Sequence, residues 1–147
     1  MRTFETELII NAPVETVWNH LIDFESYAEW NPFIKSIEGK PDTNSKLKVL
    51  IQPPGSKAMT FNPICLECIE NKSFRWLGHL GFRGIFDGEH IFQLEKLDKD
   101  RTRFIHKENF RGILVPILWK QLDTATRKGF EMMNTELKTR SEKVAAV

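Results

Sequence analysis

Residues 115–144 constrain this chain more than any other stretch, because they form its only long segment with helical periodicity. Leu118, Trp119, Leu122, Thr126, Gly129, Phe130, Met133 and Leu137 recur at three- and four-residue steps, which makes one stripe of an α-helix. Lys120, Asp123, Arg127, Lys128, Glu131 and Lys138 fall largely on the other side. Pro116 suits a first helical turn, where its missing N–H has no helical partner to lose. Such a helix runs about 40 Å at 1.5 Å per residue, so its apolar stripe needs a large partner surface. In the middle of the stripe, Ala125, Thr126 and Gly129 stand between bulkier side chains. Small residues there mean either close backbone contact or room for something that is not protein.

The partner surface is upstream. Residues 2–10 alternate as a first strand. Asn11-Ala12-Pro13 then opens a helix with Val14, Val17, Trp18, Leu21 and Ile22 as its buried stripe. A second short helix over 24–29 carries Phe24, Tyr27 and Trp30, and Asn31-Pro32 ends it, because the residue before proline disfavours the α region. Strands are expected at 33–38, 46–52, 58–70, 74–80, 89–97 and 102–110, with Pro63 marking an edge or a bulge in the third of these. Gly78, Gly81, Gly84 and Gly88 punctuate a segment that also holds Phe82, Ile85 and Phe86. It reads equally as a loop near an opening or as a bulged hairpin end. Consecutive strands joined by short turns make an antiparallel sheet of about seven strands, and the one long helix must cover its apolar face. The fold class is α+β, in a single domain over 1–147.

Composition narrows function by exclusion. A net charge of +1 removes a strong electrostatic case for nucleic acid. Phe accounts for 11 of the aromatic side chains against a single tyrosine, Tyr27, so the interior should be rich in rings without hydroxyls. The longest apolar run, 113–119, is far too short to cross a bilayer. Met1 to Glu5 leads straight into an alternating segment without an apolar signal core, so a cytoplasmic location is expected. Cys65 and Cys68 form a C-x-x-C within a strand, where residues three apart point to opposite faces. Two separate thiols are therefore expected, with no metal clip or redox pair. No phosphate-cradling glycine loop and no G-x-S-x-G nucleophile turn is present.

The polar question is carried by the last two strands. His90, Phe92 and Leu94 share a face of one; Thr102, Phe104, His106, Glu108 and Phe110 share a face of the other. These faces must be inside, since the alternative buries Arg103 and Lys107. Cross-strand partners lie on the same face, which leaves two registers: Leu94 opposite Thr102 sets His90 against His106, and Leu94 opposite Phe104 sets His90 against Glu108. Either way three ionisable groups cluster under the long helix. Unpaired burial would cost several kcal/mol, so they bond one another, water or a ligand. Acid–base chemistry by His106 and Glu108 is the catalytic alternative. Two His and one Glu could also ligate zinc, but that count alone is a weak signal, and no metal or cofactor is expected.

Ala12-Pro13, Val17-Trp18 and the series Tyr27, Trp30, Asn31-Pro32-Phe33 resemble the SRPBCC superfamily, the START-like and polyketide cyclase/dehydrase group. So do Gly88-Glu89-His90-Ile91-Phe92, the run from Thr102 to Glu108, and Phe110-Arg111-Gly112. The resemblance covers essentially the whole chain and implies a helix-grip fold, a curved sheet wrapped around a C-terminal helix with a hydrophobic cavity between. It also implies a hydrophobic small-molecule ligand, lipid-like or polyketide-like. A cyclase/dehydratase-type enzyme and a protein-interaction module of the same fold are the alternatives, and no catalytic signature carries over. The expected lining is Trp18, Trp30, Phe61, Phe74, Trp76, Phe92, Phe104, Leu122, Thr126 and Met133, with His90, His106 and Glu108 as polar contacts.

Overall fold

The computed structural model describes residues 1–145; the last two residues of the expected domain lie outside them. Strand β1 (Arg2–Ile10) is followed by helix α1 (Val14–Ile22), a 3-10 turn (Phe24–Ser26) and the short helix α2 (Tyr27–Trp30). Asn31 ends α2, and its Oδ1 accepts from the backbone N–H groups of Phe33 and Ile34 (3.0 and 2.8 Å), which aims the chain into the next strand. Seven more strands follow: β2 (Ile34–Glu38), β3 (Lys48–Ile51), β4 (Met59–Phe61), β5 (Ile64–Ile69), β6 (Ser73–His79), β7 (Asp87–Asp98) and β8 (Arg101–Arg111). They form two antiparallel sheets, in the orders β1-β8-β7-β6-β5 and β2-β3-β4.

The single long strand expected over 58–70 is thus two strands in different sheets. Pro63 lies at the break, since it has no N–H to give a ladder, while its carbonyl accepts from Leu47 at 2.9 Å. The sheets are stitched there: Lys46 bridges Ile64, and the N–H of Cys65 reaches the Ser45 carbonyl at 2.9 Å. The result is a curved surface around the last helix.

That helix is not uniform. It comprises α3 (Val115–Gln121), a π-helical turn (Leu122–Thr126) and α4 (Arg127–Ala145). Regular turns rotate residues four apart in one direction, and the wider turn offsets that drift. Leu118, Leu122 and Thr126 consequently all reach the same space. Further along, α4 packs on the sheet through Phe130, Met133 and Leu137, all fully buried. Of the two readings of the small residues, close contact holds at Gly129. A Cβ there would lie 2.6 Å from Cε1 and 3.1 Å from Cγ of Phe33.

Between sheet and helix sits a stack of rings. Phe24 lies on Phe74 at 5.5 Å, Phe74 on Phe92 at 6.0 Å, and Phe92 on Phe104 at 6.2 Å. The outward faces of β1, β7 and β8 carry ion pairs, with Arg103 between Glu7 and Glu95 and Lys107 near Glu5.

The cysteines depart from expectation. A β-bulge between Cys65 and Glu67 sets Cys65 opposite Trp76 and Cys68 opposite Phe74, so both thiols face inward on one side of β5. The extra residue of a bulge reverses the alternation on which the opposite-face reading rested. Both sulfurs are free, and burial pushes both thiols up, Cys68 to about 11. Their thiolates are therefore scarce at neutral pH.

Candidate functional site: a cavity with one carboxylate

The two sheets diverge beside the first half of the long helix, and the gap is a cavity of about 200 Å³. Phe33, Ile51, Met59 and Phe61 line it from the smaller sheet, and Trp76, Gly78 and His79 from β6. Gly88, Glu108 and Phe110 form its floor on β7 and β8; Leu118, Leu122 and Thr126 form its roof. Leu80 and Phe86, from the glycine-punctuated loop, also line the cavity, and His79 and Asp87, which flank that loop, pair at 2.6 Å. The segment closes the β6–β7 hairpin and also borders the cavity, so each of its two readings holds in part.

Register delivers the carboxylate. Leu94 pairs with Phe104, so His90 stands opposite Glu108, the second of the two alignments the sequence permits. Gly88, two residues from His90 on the same face, leaves room for the carboxylate: a Cβ there would lie 2.6 Å from Glu108 Oε2. The Glu108 side chain is 15% exposed, and its Oε1 is 3.5 Å from Nδ1 of the fully buried His90.

Behind this pair the hydrogen bonds run in one direction. Thr6 Oγ1 donates to the His106 carbonyl at 3.0 Å, so it accepts from Asn134 Nδ2 at 2.8 Å. That orientation turns Asn134 Oδ1 to His106 Nδ1 at 2.8 Å, which must then carry hydrogen. Burial, and after it the neighbouring His90, hold His106 well below the ordinary imidazole range; the Asn134 bond offsets this in part. Neutral His106 has a bare Nε2, and it accepts from His90 Nε2 at 2.7 Å. The other ring nitrogen of His90, Nδ1, has no hydrogen-bond partner among the described residues. A single proton placed between that nitrogen and Glu108 would complete the chain. Phe130 clamps the arrangement by stacking on His106 at 3.9 Å, and Trp76 does so by stacking on His90 at 4.8 Å.

Of the residues expected at the site, Phe61, Trp76, Glu108, Leu122 and Thr126 line the cavity. Trp18, Trp30, Phe74, Phe92, Phe104 and Met133 are buried away from it, packed as core. His90 and His106 stand behind Glu108, and His106 reaches it only through His90. Phe33, Gly88, Phe110 and Leu118 line the cavity too, although the sequence pattern places none of them in the lining. Asn134 was also passed over, although it interrupts the apolar series Phe130, Met133, Leu137 and so carried a legible signal. Among the described residues no group of three or more His, Cys, Asp or Glu side chains is placed to hold a metal ion. No described helix is long and apolar enough to cross a membrane.

A curved antiparallel sheet gripping a C-terminal helix, with a mostly apolar cavity between, defines a helix-grip protein of the START-like class. The family model described as "Polyketide cyclase / dehydrase and lipid transport" matches residues 1–142, and the chain belongs to that family. The Zhui aromatase/cyclase from a Streptomyces species is similar in structure, with a TM-score of 0.77 at 16% identity over 97% of this chain and 94% of that one. A START superfamily protein from Mycobacterium smegmatis gives 0.74 at 23% identity, covering 97% and 98%. A norcoclaurine synthase point mutant from Thalictrum gives 0.74 at 11% identity, covering 97% and 95%. At such identities the likeness establishes the fold alone. No curated protein matches the sequence significantly.

Proposed function

We propose that this chain is a cytoplasmic protein that binds a small hydrophobic or amphipathic molecule in the cavity beside the first half of its long helix. One observation carries the reading: the wall is apolar almost throughout, yet holds a mostly buried carboxylate, Glu108, beside which His90 Nδ1, at 3.5 Å, makes no hydrogen bond among the described residues. Polar points in an apolar pocket orient ligands. A ligand hydroxyl or amino group would donate to that carboxylate. Size sets a second limit. An apolar cavity of about 150 Å³ accepts benzene, so about 200 Å³ suits a one- or two-ring compound or a short acyl chain. The family's description, and the aromatase/cyclase among its structural neighbours, agree with a ligand of this chemistry.

The test is a fluorescence titration with 1-naphthylamine, which has two fused rings and one amino donor. Saturable uptake is expected, and Leu122→Trp, which puts an indole in the cavity, should abolish it. Absence of uptake, or uptake indifferent to Leu122→Trp, would leave the interior as a mere core and favour a protein-interaction module. A cyclase/dehydratase-type activity is the second reading, supported by the His90–Glu108 pair at the cavity wall. For an enzyme, Glu108→Gln should leave binding nearly intact and cut turnover by roughly a hundredfold or more.

A further inference from the structure

One exposed apolar surface lies on the two elements, the β6–β7 loop and α3, that also border the cavity. Phe82 is 80% exposed, Ile113 74% and Ile117 75%, the largest exposures among its bulky apolar side chains beside the N-terminal Met1. They belong to one structural unit. The loop between β6 and β7 is tied to the start of α3 by backbone bonds, from Ile113 to the Gly84 carbonyl at 3.1 Å and from Leu114 to the Ile85 carbonyl at 3.0 Å. Gly112 permits this close approach: a Cβ there would lie 2.6 Å from the Ile85 carbonyl carbon. The apolar tips are therefore held on folded backbone, and water faces them at a cost that a monomer usually avoids.

Each tip has a cation beside it in sequence. Arg83 adjoins Phe82, Arg111 precedes Ile113 by two residues, and Lys120 follows Ile117 by three. All three cations are exposed and none makes an ion pair among the described residues; Arg111 lies against the Met1 sulfur at 3.3 Å. Asp87, the first residue of β7, is bonded by His79 and by the Gly84 N–H, and Arg83 lies near enough to act on its charge as well.

We propose that this face is a docking surface for an anionic phospholipid membrane. Apolar tips entering the headgroup layer, flanked by unpaired cations facing anionic headgroups, are the chemistry of peripheral membrane binding. A second copy of the chain fits less well, because a two-fold contact through this patch would gather six cations at one interface. Docking in this pose sets the loop that carries Leu80 and Phe86, and with it one wall of the cavity, against the bilayer. An apolar ligand could then pass between membrane and cavity without crossing water.

Co-sedimentation of the full chain with vesicles tests this, using phosphatidylcholine alone or mixed with phosphatidylserine. Binding to the mixed vesicles is expected, weakened by added salt and much reduced on phosphatidylcholine alone. Phe82→Ser and Ile117→Ser should each lower affinity about tenfold or more, and Arg83→Gln about fivefold. All three residues are exposed, so circular dichroism should show unchanged folding. No sedimentation with mixed vesicles, or binding that Phe82→Ser and Arg83→Gln leave intact, would overturn the proposal. So would a dimer in size-exclusion chromatography that Ile117→Ser disperses, since that gives the face to a second copy. The assay reads docking and not ligand uptake, so its failure leaves the cavity reading standing.

Discussion

Replacing Gly129 by alanine tests the packing that bounds the cavity. Helix propensity alone favours alanine over glycine by about 1 kcal/mol in a helix interior. Here the new methyl would lie 2.6 Å from Cε1 of Phe33, well inside van der Waals contact. Phe33 is almost fully buried, with Phe130 at 5.5 Å on one side and the cavity on the other, so its ring can give way only into the cavity. Overpacking of this kind costs about 1–3 kcal/mol. Against the propensity gain, a net loss of about 1 kcal/mol is expected, which lowers Tm by about 2–4 °C in a domain of this size. Ligand affinity should fall as well, because the displaced ring takes up binding space. Phe33→Leu removes the atoms the methyl meets. In a double-mutant cycle by urea denaturation, Gly129→Ala should therefore cost less beside Phe33→Leu than alone, with a coupling of about 1 kcal/mol. A single variant more stable than the parent, with coupling below a few tenths of a kcal/mol, would refute the close approach.

The buried histidine makes stability depend on pH. His106 is held neutral in the folded chain but takes a proton near pH 6.5 when unfolded. Its contribution should be complete above about pH 6.5 and be lost as pH falls toward its lower folded value, at up to about 1.4 kcal/mol per pH unit. His20, lowered mainly by burial, acts in the same direction, so the part belonging to His106 is the slope missing from His106→Gln in denaturation series. Asn134→Leu strands the buried His106 Nδ1–H and should cost about 1–3 kcal/mol in urea denaturation. Glu108→Gln keeps size and one acceptor and should weaken 1-naphthylamine binding by about 1–3 kcal/mol in the fluorescence titration. Gly88→Ala meets only the flexible end of Glu108, so it should leave Tm nearly unchanged while reducing that binding.

Periodicity alone was enough for the long helix, the inward faces of β7 and β8, and the burial of His90 and His106 beside their phenylalanines. These are local properties: a side chain's face follows from its step along helix or strand. Register was narrowed to two alignments and no further. Pairing along β7 and β8, with its irregularity between Lys96 and Asp98, selects the one that sets His90 against Glu108. One bulged residue in β5 turned both cysteines to the same side, an effect that no alternation pattern contains. Depth was the other missing quantity. Alternation separates inside from outside, but it cannot tell Phe92 and Phe104, which fill the core, from Phe33 and Phe110, which border empty space. That distinction arises only where two sheets part company along a helix, and it depends on side chains brought together from opposite ends of the chain. The same holds for Gly129, whose lack of a side chain could mean space or contact until the position of Phe33 settled it.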